Sequence, residues 1–160
     1  MNIFYLDKNP VLAARYHTDK HVIKMILESA QLLSTAHHVA ISNENILAHI
    51  YKPTHSNHPS ALWVRHNKNN YLWLYRLLLA LLEEYAFRFG KIHKSSALTE
   101  YLKEPPMSLS DEPFFPPTPT MDDEYIVAGD SLLSYRNYYR RAKSHLFTWT
   151  RRSRPEWLND

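Results

Sequence analysis

HTDKHVIKMILESAQLL, residues 17–33, carries a pronounced helical pattern. At about 100° per residue, one side of this stretch gathers aliphatic side chains and predicts a stripe that faces the core. These are Val22, Ile23, Ile26, Ala30 and Leu33. The opposite side gathers polar side chains within an arc of about 100°. These are His17, Lys20, His21, Lys24, Glu28 and Gln31. The stretch therefore predicts a long amphipathic helix.

Start and stop signals place this helix within a longer helical region. Asn9-Pro10 marks a helix start, because proline is tolerated at the first helical position. The helical pattern continues to about His38, and Thr18-Asp19 either interrupts it or caps a second helix. Upstream, residues 2–6 form a short apolar run that predicts a stub of strand.

Further helices are predicted downstream. Residues 41–56 predict a short helix and a loop, and His58-Pro59 is another start signal. Leucines and aromatic residues recur at helical spacing over residues 60–89, with a plausible break at residues 67–70, and Gly90 fits the position after a helix end. A last helix is expected over about residues 130–149.

The segment 103–120, KEPPMSLSDEPFFPPTPT, holds six of the ten prolines. Proline has no N–H to donate, so this segment predicts neither helix nor central strand. It is either an ordered lid or, the interpretation we favour, a surface connection that Phe114 and Phe115 anchor to the core. Together these features predict a mainly α protein, residues 1–160, with a single compact helical domain and a Pro-rich loop.

Composition excludes several classes of function. The chain has no cysteine, which rules out disulfides, thiolate nucleophiles and cysteine-ligated zinc. Two glycines against ten prolines disfavour Gly-rich phosphate loops. The apolar runs are far shorter than the ~20 residues of a membrane span, and the first residues lack a secretory signal pattern. We therefore expect a cytoplasmic protein with no membrane partner.

The polar stripe of residues 17–31 has two interpretations. It is an ordinary solvated helix face with a Lys24–Glu28 pair, or it is a site. In a site, crowding by positive neighbours favours the neutral, nucleophilic form of a lysine, and Glu28 can shuttle protons. His17 and His21 have a spacing that can bind zinc, but the HExxH pattern is absent, and we expect no metal or other cofactor.

The second long helical region offers a facing stripe. Arg65, Asn69, Arg76 and Glu83 share one side of a continuous helix, and His58 lies at its start. If the two helices are neighbours, a cleft between them can grip phosphate. Otherwise His58 is a helix cap and the arginines are solvated.

The C-terminal region, residues 130–160, holds seven of the nineteen basic residues and only three acidic ones. Tyrosines and tryptophans are interleaved with them. Basic side chains neutralise phosphates and aromatic faces stack on bases, so this mixture fits a nucleic-acid surface with Arg136, Arg140 and Arg141 as contacts. The alternative is an amphipathic helix with packed tyrosines, whose aromatic face is also compatible with a homodimer.

Three stretches together resemble a known family. HTDKHVIKMILESAQLL, NHPSALWVRHNKNNYLWLY and EEYAFRFGKIHK, within residues 1–95, are similar to small bacterial and phage pyrimidine-dimer DNA glycosylases of the endonuclease V type. The matching positions are Asp19, Lys20, His21, Lys24, Glu28, Gln31, His58, Pro59, Trp63 and the stretch 83–85. The Pro-rich segment and the basic C-terminal region lie outside the resemblance.

The resemblance implies a helical DNA glycosylase and AP lyase acting on damaged or modified pyrimidines. Such an enzyme extrudes a base, attacks the sugar C1′ with an amine and forms a Schiff base, without a metal. In the best-known members the nucleophile is the α-amine that removal of Met1 exposes, but Asn2 is large for that removal. The candidate amines are therefore those of Met1, Lys20 and Lys24, with Glu28 as the carboxylate.

The resemblance also makes DNA the expected partner. His17, His21, Gln31, His58, Arg65 and Asn69 are the residues of this region that we expect to contact phosphate or base. Two other functions stay open on the residues alone. One is a non-catalytic nucleic-acid-binding accessory protein, and the other is an enzyme acting on a nucleotide or another phosphorylated small molecule.

Overall fold

The computed structural model describes residues 1–159, and these residues are mostly helical, as predicted. They form seven α-helices. The bounds are α1 Pro10–Tyr16, α2 Asp19–Val39, α3 Glu44–Leu47, α4 Pro59–Val64, α5 Lys68–Phe89, α6 Thr99–Leu102 and α7 Ser131–Ala142. Short 3₁₀ turns at Lys94–Leu98, Asp123–Tyr125, Ser144–Leu146 and Glu156–Leu158 connect or follow them.

Local signals set most helix ends. The Asn9 side chain accepts hydrogen bonds from the amides of Val11 and Leu12, and Pro10 begins α1. Asn67 caps α5 in the same way, which separates α4 from α5 where the break was predicted. Gly90 ends α5 in the left-handed conformation, with φ of 65°. The expected interruption before Asp19 is also confirmed, because α1 ends at Tyr16.

One hydrophobic core joins the helices. α2 and α1 both pack along α5, and α4 packs on α2. Residues 3–6 lie buried inside this core, but they pair with no strand within the described chain, so the predicted strand stub is wrong. Their apolar character comes from burial among aromatic rings and not from a sheet.

The Pro-rich loop, residues 103–120, has no helix and only a single isolated bridge, from Ser110 to Asn67. It is tied along the α4–α5 junction, because the Trp63 indole N–H donates to the carbonyl of Phe115 at 2.9 Å. Phe114 packs against the core, whereas the Phe115 side chain is partly exposed. Of the two predicted anchors, Phe114 is the one that reaches the core.

The C-terminal region leaves the helix earlier than predicted. α7 ends at Ala142 and not near Trp149, because the following residues turn back over the α1–α2 junction. There the Trp149 indole donates to the carbonyl of Tyr16, and the Asp19 amide donates to the carbonyl of Thr148. Tyr135 and Tyr139 of α7 are completely buried within the chain, so its aromatic face packs internally and does not need a second copy to cover it.

A buried ionic network holds the same junction together. The Arg88 side chain is completely buried and bonds the carboxylates of Glu84 and Asp19 at 2.8 and 3.1 Å. It also donates to the carbonyls of Arg15 and His17, at the end of α1. Arg152 adds a second cation to Glu84. The network therefore ties the end of α1 and the start of α2 to α5.

Among residues 1–159, no helix combines the length and the apolar composition that crossing a bilayer requires.

Candidate active site at the amino terminus

The first residues of the chain fold back onto the middle of α2. The Asn2 side-chain oxygen accepts hydrogen bonds from the amides of Ile3 and Phe4, at 2.7 and 3.2 Å. The Asn2 side-chain amide donates to the carbonyl of Thr120 at 2.9 Å. Asn2 therefore forms a tight local turn and attaches it to the end of the Pro-rich loop.

Phe4 maintains this turn in a strained backbone conformation. Its φ is 56°, in the left-handed region that costs an ordinary residue about 1–2 kcal/mol. The Phe4 ring stacks on His21 at 4.4 Å and on Tyr138 at 6.0 Å, and it meets Tyr139 edge-on at 5.5 Å. Aromatic pairs of this kind contribute about 0.5–1.5 kcal/mol each, which is enough to offset the strain. The strained residue therefore lies in the turn that brings the start of the chain to Glu28.

The turn brings the start of the chain next to the carboxylate of Glu28. The backbone N–H of Asn2 donates to its Oε2 at 3.0 Å, and Lys24 Nζ lies 3.5 Å from its Oε1. The Glu28 side chain is only 12% exposed, whereas that of Lys24 is 64% exposed. Because the Asn2 amide is hydrogen-bonded to Glu28, the α-amine of Met1 is only one residue away from this contact.

His58 completes the group from the start of α4. Its Nδ1 accepts a hydrogen bond from the amide of Ser60 at 3.1 Å, so its proton resides on Nε2. Burial lowers the pKa of His58, and the positive charges of the α-amine and of His55 lower it further, while Glu28 opposes them. A lowered pKa favours the neutral imidazole, with the α-amine and Glu28 among the charges that act on it.

These four groups, the Met1 α-amine, Lys24, Glu28 and His58, form what we call the amino-terminal cluster. All four were candidates from the sequence. An amine can attack an electrophilic carbon, a carboxylate can accept its proton, and a neutral imidazole can donate a hydrogen bond from Nε2. The cluster thus contains a nucleophile, a base and a hydrogen-bond donor.

The predicted polar stripe of α2 is only partly correct. His17 and His21 are buried in the core, whereas Ile23, predicted as core, is 44% exposed. The cause is that the first residues and the C-terminal region cover this side of α2, which periodicity along one helix does not reveal. His17 precedes α2, and its Nδ1 lies 2.6 Å from the carbonyl of Ala13. His21 Nδ1 lies 3.0 Å from the Tyr139 hydroxyl.

Burial also decides the charge state of these two imidazoles. Desolvation lowers the pKa of His17 to about 4 and that of His21 to about 3. Both are therefore neutral near pH 7 and are screened from solvent. Contacts from His17 and His21 to a phosphate, as predicted, would need the core to open.

The other predicted contacts on α2 and α5 are dispersed. Lys20 is exposed near the start of α2, and Gln31 is half-buried one turn beyond Glu28. Arg65 lies at the end of α4 and not on α5, so the predicted continuous stripe is wrong. Arg65 donates to the carbonyl of Ser56 at 2.5 Å, and Asn69 donates to that of Glu112 at 2.6 Å. Both side chains hold loops against the helices.

The three arginines of α7 are engaged within the chain. Arg136 bonds the carbonyl of Leu6 and the carboxylate of Asp7, and Arg140 donates to the carbonyl of Trp157. Arg141 pairs with Glu124 at 2.9 Å on the surface. Contacts with nucleic acid by Arg136 and Arg140 would compete with these internal bonds.

Sequence reasoning missed a cation that the fold brings to α2. Lys143 Nζ lies 4.8 Å from the centroid of the Tyr138 ring, which stacks on Phe4, and Phe4 stacks on His21. Lys143 therefore lies near the first turns of α2, although it is more than 100 residues away in sequence. The excess of basic residues after residue 130 was visible in the sequence, but it did not show where in the fold these residues lie.

Two cavities lie away from the amino-terminal cluster. One of about 760 Å³ opens at the far end of α2, between residues 40–46 and 104–108, and one of about 380 Å³ lies between the Pro-rich loop and the start of α7. Neither is lined by the amino-terminal cluster or by the predicted cleft residues of α5. No three histidine, aspartate or glutamate side chains within residues 1–159 converge to hold a metal ion.

Comparisons with family models, with curated proteins and with solved structures each returned no match. The function must therefore be inferred from the residues of this chain.

Proposed function

We propose that this protein is a DNA glycosylase and AP lyase for damaged or modified pyrimidines, with the α-amine of Met1 as its nucleophile. The observation that carries the proposal is the 3.0 Å hydrogen bond from the Asn2 amide to Glu28, which holds the start of the chain against a carboxylate. The resemblance of residues 1–95 to pyrimidine-dimer glycosylases points to the same chemistry.

The reaction begins when the unprotonated amine attacks C1′ of the nucleotide. A bond from nitrogen to C1′ forms, the glycosidic bond breaks, and the base leaves with the electron pair and takes up a proton. The sugar ring then opens as the C1′–O4′ bond breaks and O4′ is protonated, which leaves a protonated Schiff base. Loss of a C2′ proton and departure of the 3′ phosphate by β-elimination nick the strand, and water releases the amine.

Glu28 and His58 take complementary parts in these steps. The Glu28 carboxylate accepts a proton from the amine, stabilises positive charge that develops at C1′, and can later remove the C2′ proton. The neutral His58 imidazole donates from Nε2 to a leaving or ring oxygen. Asn2 and Phe4 do not react but keep the terminal amine in place.

The terminal amine is better suited to this task than a lysine. In general, α-amines lose their proton near pH 8 and lysines near pH 10.4, so at neutral pH a terminal amine is unprotonated about a few hundred times more often. Lys24 is instead ion-paired with Glu28 on the surface. Its role is to orient the carboxylate and to attract phosphate.

The test is borohydride trapping, which reduces a Schiff base to a stable bond. The protein is incubated with abasic DNA and with ultraviolet-irradiated DNA, and peptide mass spectrometry locates the adduct. We expect it on the peptide that begins with Met1. Glu28→Gln should lower trapping by about 100-fold or more, as the loss of a proton-transfer group does. Glu100→Gln removes an 80% exposed carboxylate on α6, so it is the matched control and should trap as the wild type does.

Each other outcome selects another mechanism. An adduct on Lys20 or Lys24 keeps the glycosylase and replaces the nucleophile. Salt-dependent DNA binding with no adduct on either substrate rejects the enzyme and favours a non-catalytic nucleic-acid-binding protein. Thermal stabilisation by free nucleotides, with none by DNA, favours an enzyme of phosphorylated small molecules.

A further inference from the structure

A second feature lies beside the amino-terminal cluster on the exposed side of α2. Lys20 and Lys24 are one turn apart, and Ile23 and Leu27 are one turn apart next to them. We call these four residues the α2 face. Ile23 is 44% and Leu27 36% exposed, whereas the neighbouring Val22 and Ile26 are completely buried. The face thus presents two branched aliphatic side chains to solvent beside two lysines.

The surroundings of this face are positive. Lys143 lies near the same end of α2, because its Nζ is 4.8 Å from the centroid of the Tyr138 ring, which stacks on Phe4, and Phe4 stacks on His21. The nearest acidic groups are engaged, because Asp19 accepts bonds from Arg88 and Thr150, and Glu28 faces Asn2 and Lys24. The face therefore fits a partner that is negatively charged and also offers apolar surface.

A nucleic-acid strand with an opened base stack has both properties. Its phosphates pair with lysines, and the flat faces of unstacked bases accept aliphatic side chains. Aliphatic wedges of this kind enter between base steps in other proteins and kink the duplex. Two side chains are too few to bury a helix in a lipid surface, which needs a long apolar face.

We infer that Ile23 and Leu27 insert into the base stack of duplex DNA, while Lys20 and Lys24 hold the flanking phosphates. The inference rests on the proposed function, because it supplies the step that an amine attack requires. C1′ of a stacked nucleotide is screened within the duplex, and opening the stack beside Glu28 exposes it. Leu27 is adjacent to Glu28 in sequence, so the opened step lies next to the cluster.

The test separates unstacking from chemistry. A duplex that carries 2-aminopurine beside an abasic site brightens when its stack opens, with or without a covalent step. We expect the wild-type protein to raise this fluorescence. The double variant Ile23→Ser with Leu27→Ser should lose the rise and bind the duplex about 10-fold or more weakly, as the loss of base contacts implies. Val39→Ser, at the last residue of α2 and 46% exposed, is the matched control and should behave as wild type.

The same variants are assayed for borohydride trapping on a single-stranded abasic substrate, whose bases need no unstacking. The double variant should lose less trapping on this substrate than on the duplex, and a circular dichroism spectrum like that of the wild type reports that it is folded. Unstacking by wild type without any trapping would reject the glycosylase and leave the wedge standing. The wedge would be overturned if the double variant matched the wild type in fluorescence and duplex binding. It would also be overturned if the wild-type protein gave no rise in fluorescence.

Discussion

Replacing Arg88 by methionine should be among the most damaging single changes in this protein. The Arg88 side chain is completely buried and bonds two carboxylates and two backbone carbonyls, at 2.7 to 3.1 Å. Methionine has a similar length but no donor. Glu84 and Asp19 would lose a buried cation, and the carbonyls at the end of α1 would lose their hydrogen bonds.

The expected loss follows from removing one partner of a buried ion pair, which costs about 3–5 kcal/mol because it leaves an uncompensated buried charge. For a domain of this size, each kcal/mol shifts the melting temperature by about 2–4 °C. We therefore expect Arg88→Met to lower the free energy of unfolding by about 3–5 kcal/mol and the melting temperature by roughly 6–20 °C.

Urea and thermal unfolding followed by circular dichroism measure both quantities. Arg152→Met is the matched control, because Arg152 is 28% exposed and its loss leaves Glu84 paired with Arg88. The control should cost about 1 kcal/mol, in the range of partly exposed pairs. Equal losses for the two variants, or a loss below about 1 kcal/mol for Arg88→Met, would refute the assignment of Arg88 as the charge that neutralises the junction.

Two further predictions concern pH and the end of α5. Burial lowers the pKa of His17 and His37 to about 4 and of His21 to about 3, against 6.5 in the unfolded chain. Below pH 6.5 the unfolded state therefore binds protons that the folded state does not bind. The free energy of unfolding should fall by up to ~1.4 kcal/mol per pH unit for each histidine. Urea midpoints that do not change between pH 7 and pH 5 would contradict this burial. Gly90→Ala should lower the free energy of unfolding by about 1 kcal/mol. The cause is backbone strain alone, because φ at Gly90 is 65° and an added Cβ would meet no neighbouring residue within 4 Å. A melting temperature at or above that of the wild type would show that α5 ends differently.

The helices were predictable because their signals are local. Asn9-Pro10 and Gly90 mark a helix start and a helix end through bonds within a few residues, as predicted, and Asn67 caps α5 inside the break predicted at residues 67–70. The end of α7 was missed because no cap marks it. There the chain stops being helical to place Trp149 on Tyr16, a contact between residues 133 apart.

The candidate site was predictable in its residues but not in its geometry. Lys24 and Glu28 follow from helical spacing, and His58 follows from its position before a proline. That Asn2 folds back onto Glu28 does not, because it depends on a strained Phe4 held by rings from α2 and α7. The same rings bury His21, so one tertiary contact both builds the cluster and removes an imidazole from the expected polar face.

The packing of Phe4 against Tyr138 and Tyr139 has a consequence for synthesis on the ribosome. Phe4 needs ring partners that are made more than 130 residues later. Contacts so distant along the chain form slowly, because a long loop must close before they stabilise anything. Nascent chains that lack α7 can assemble α1, α2 and α5, but Phe4 gains its contacts with Tyr138 and Tyr139 only after α7 has been made.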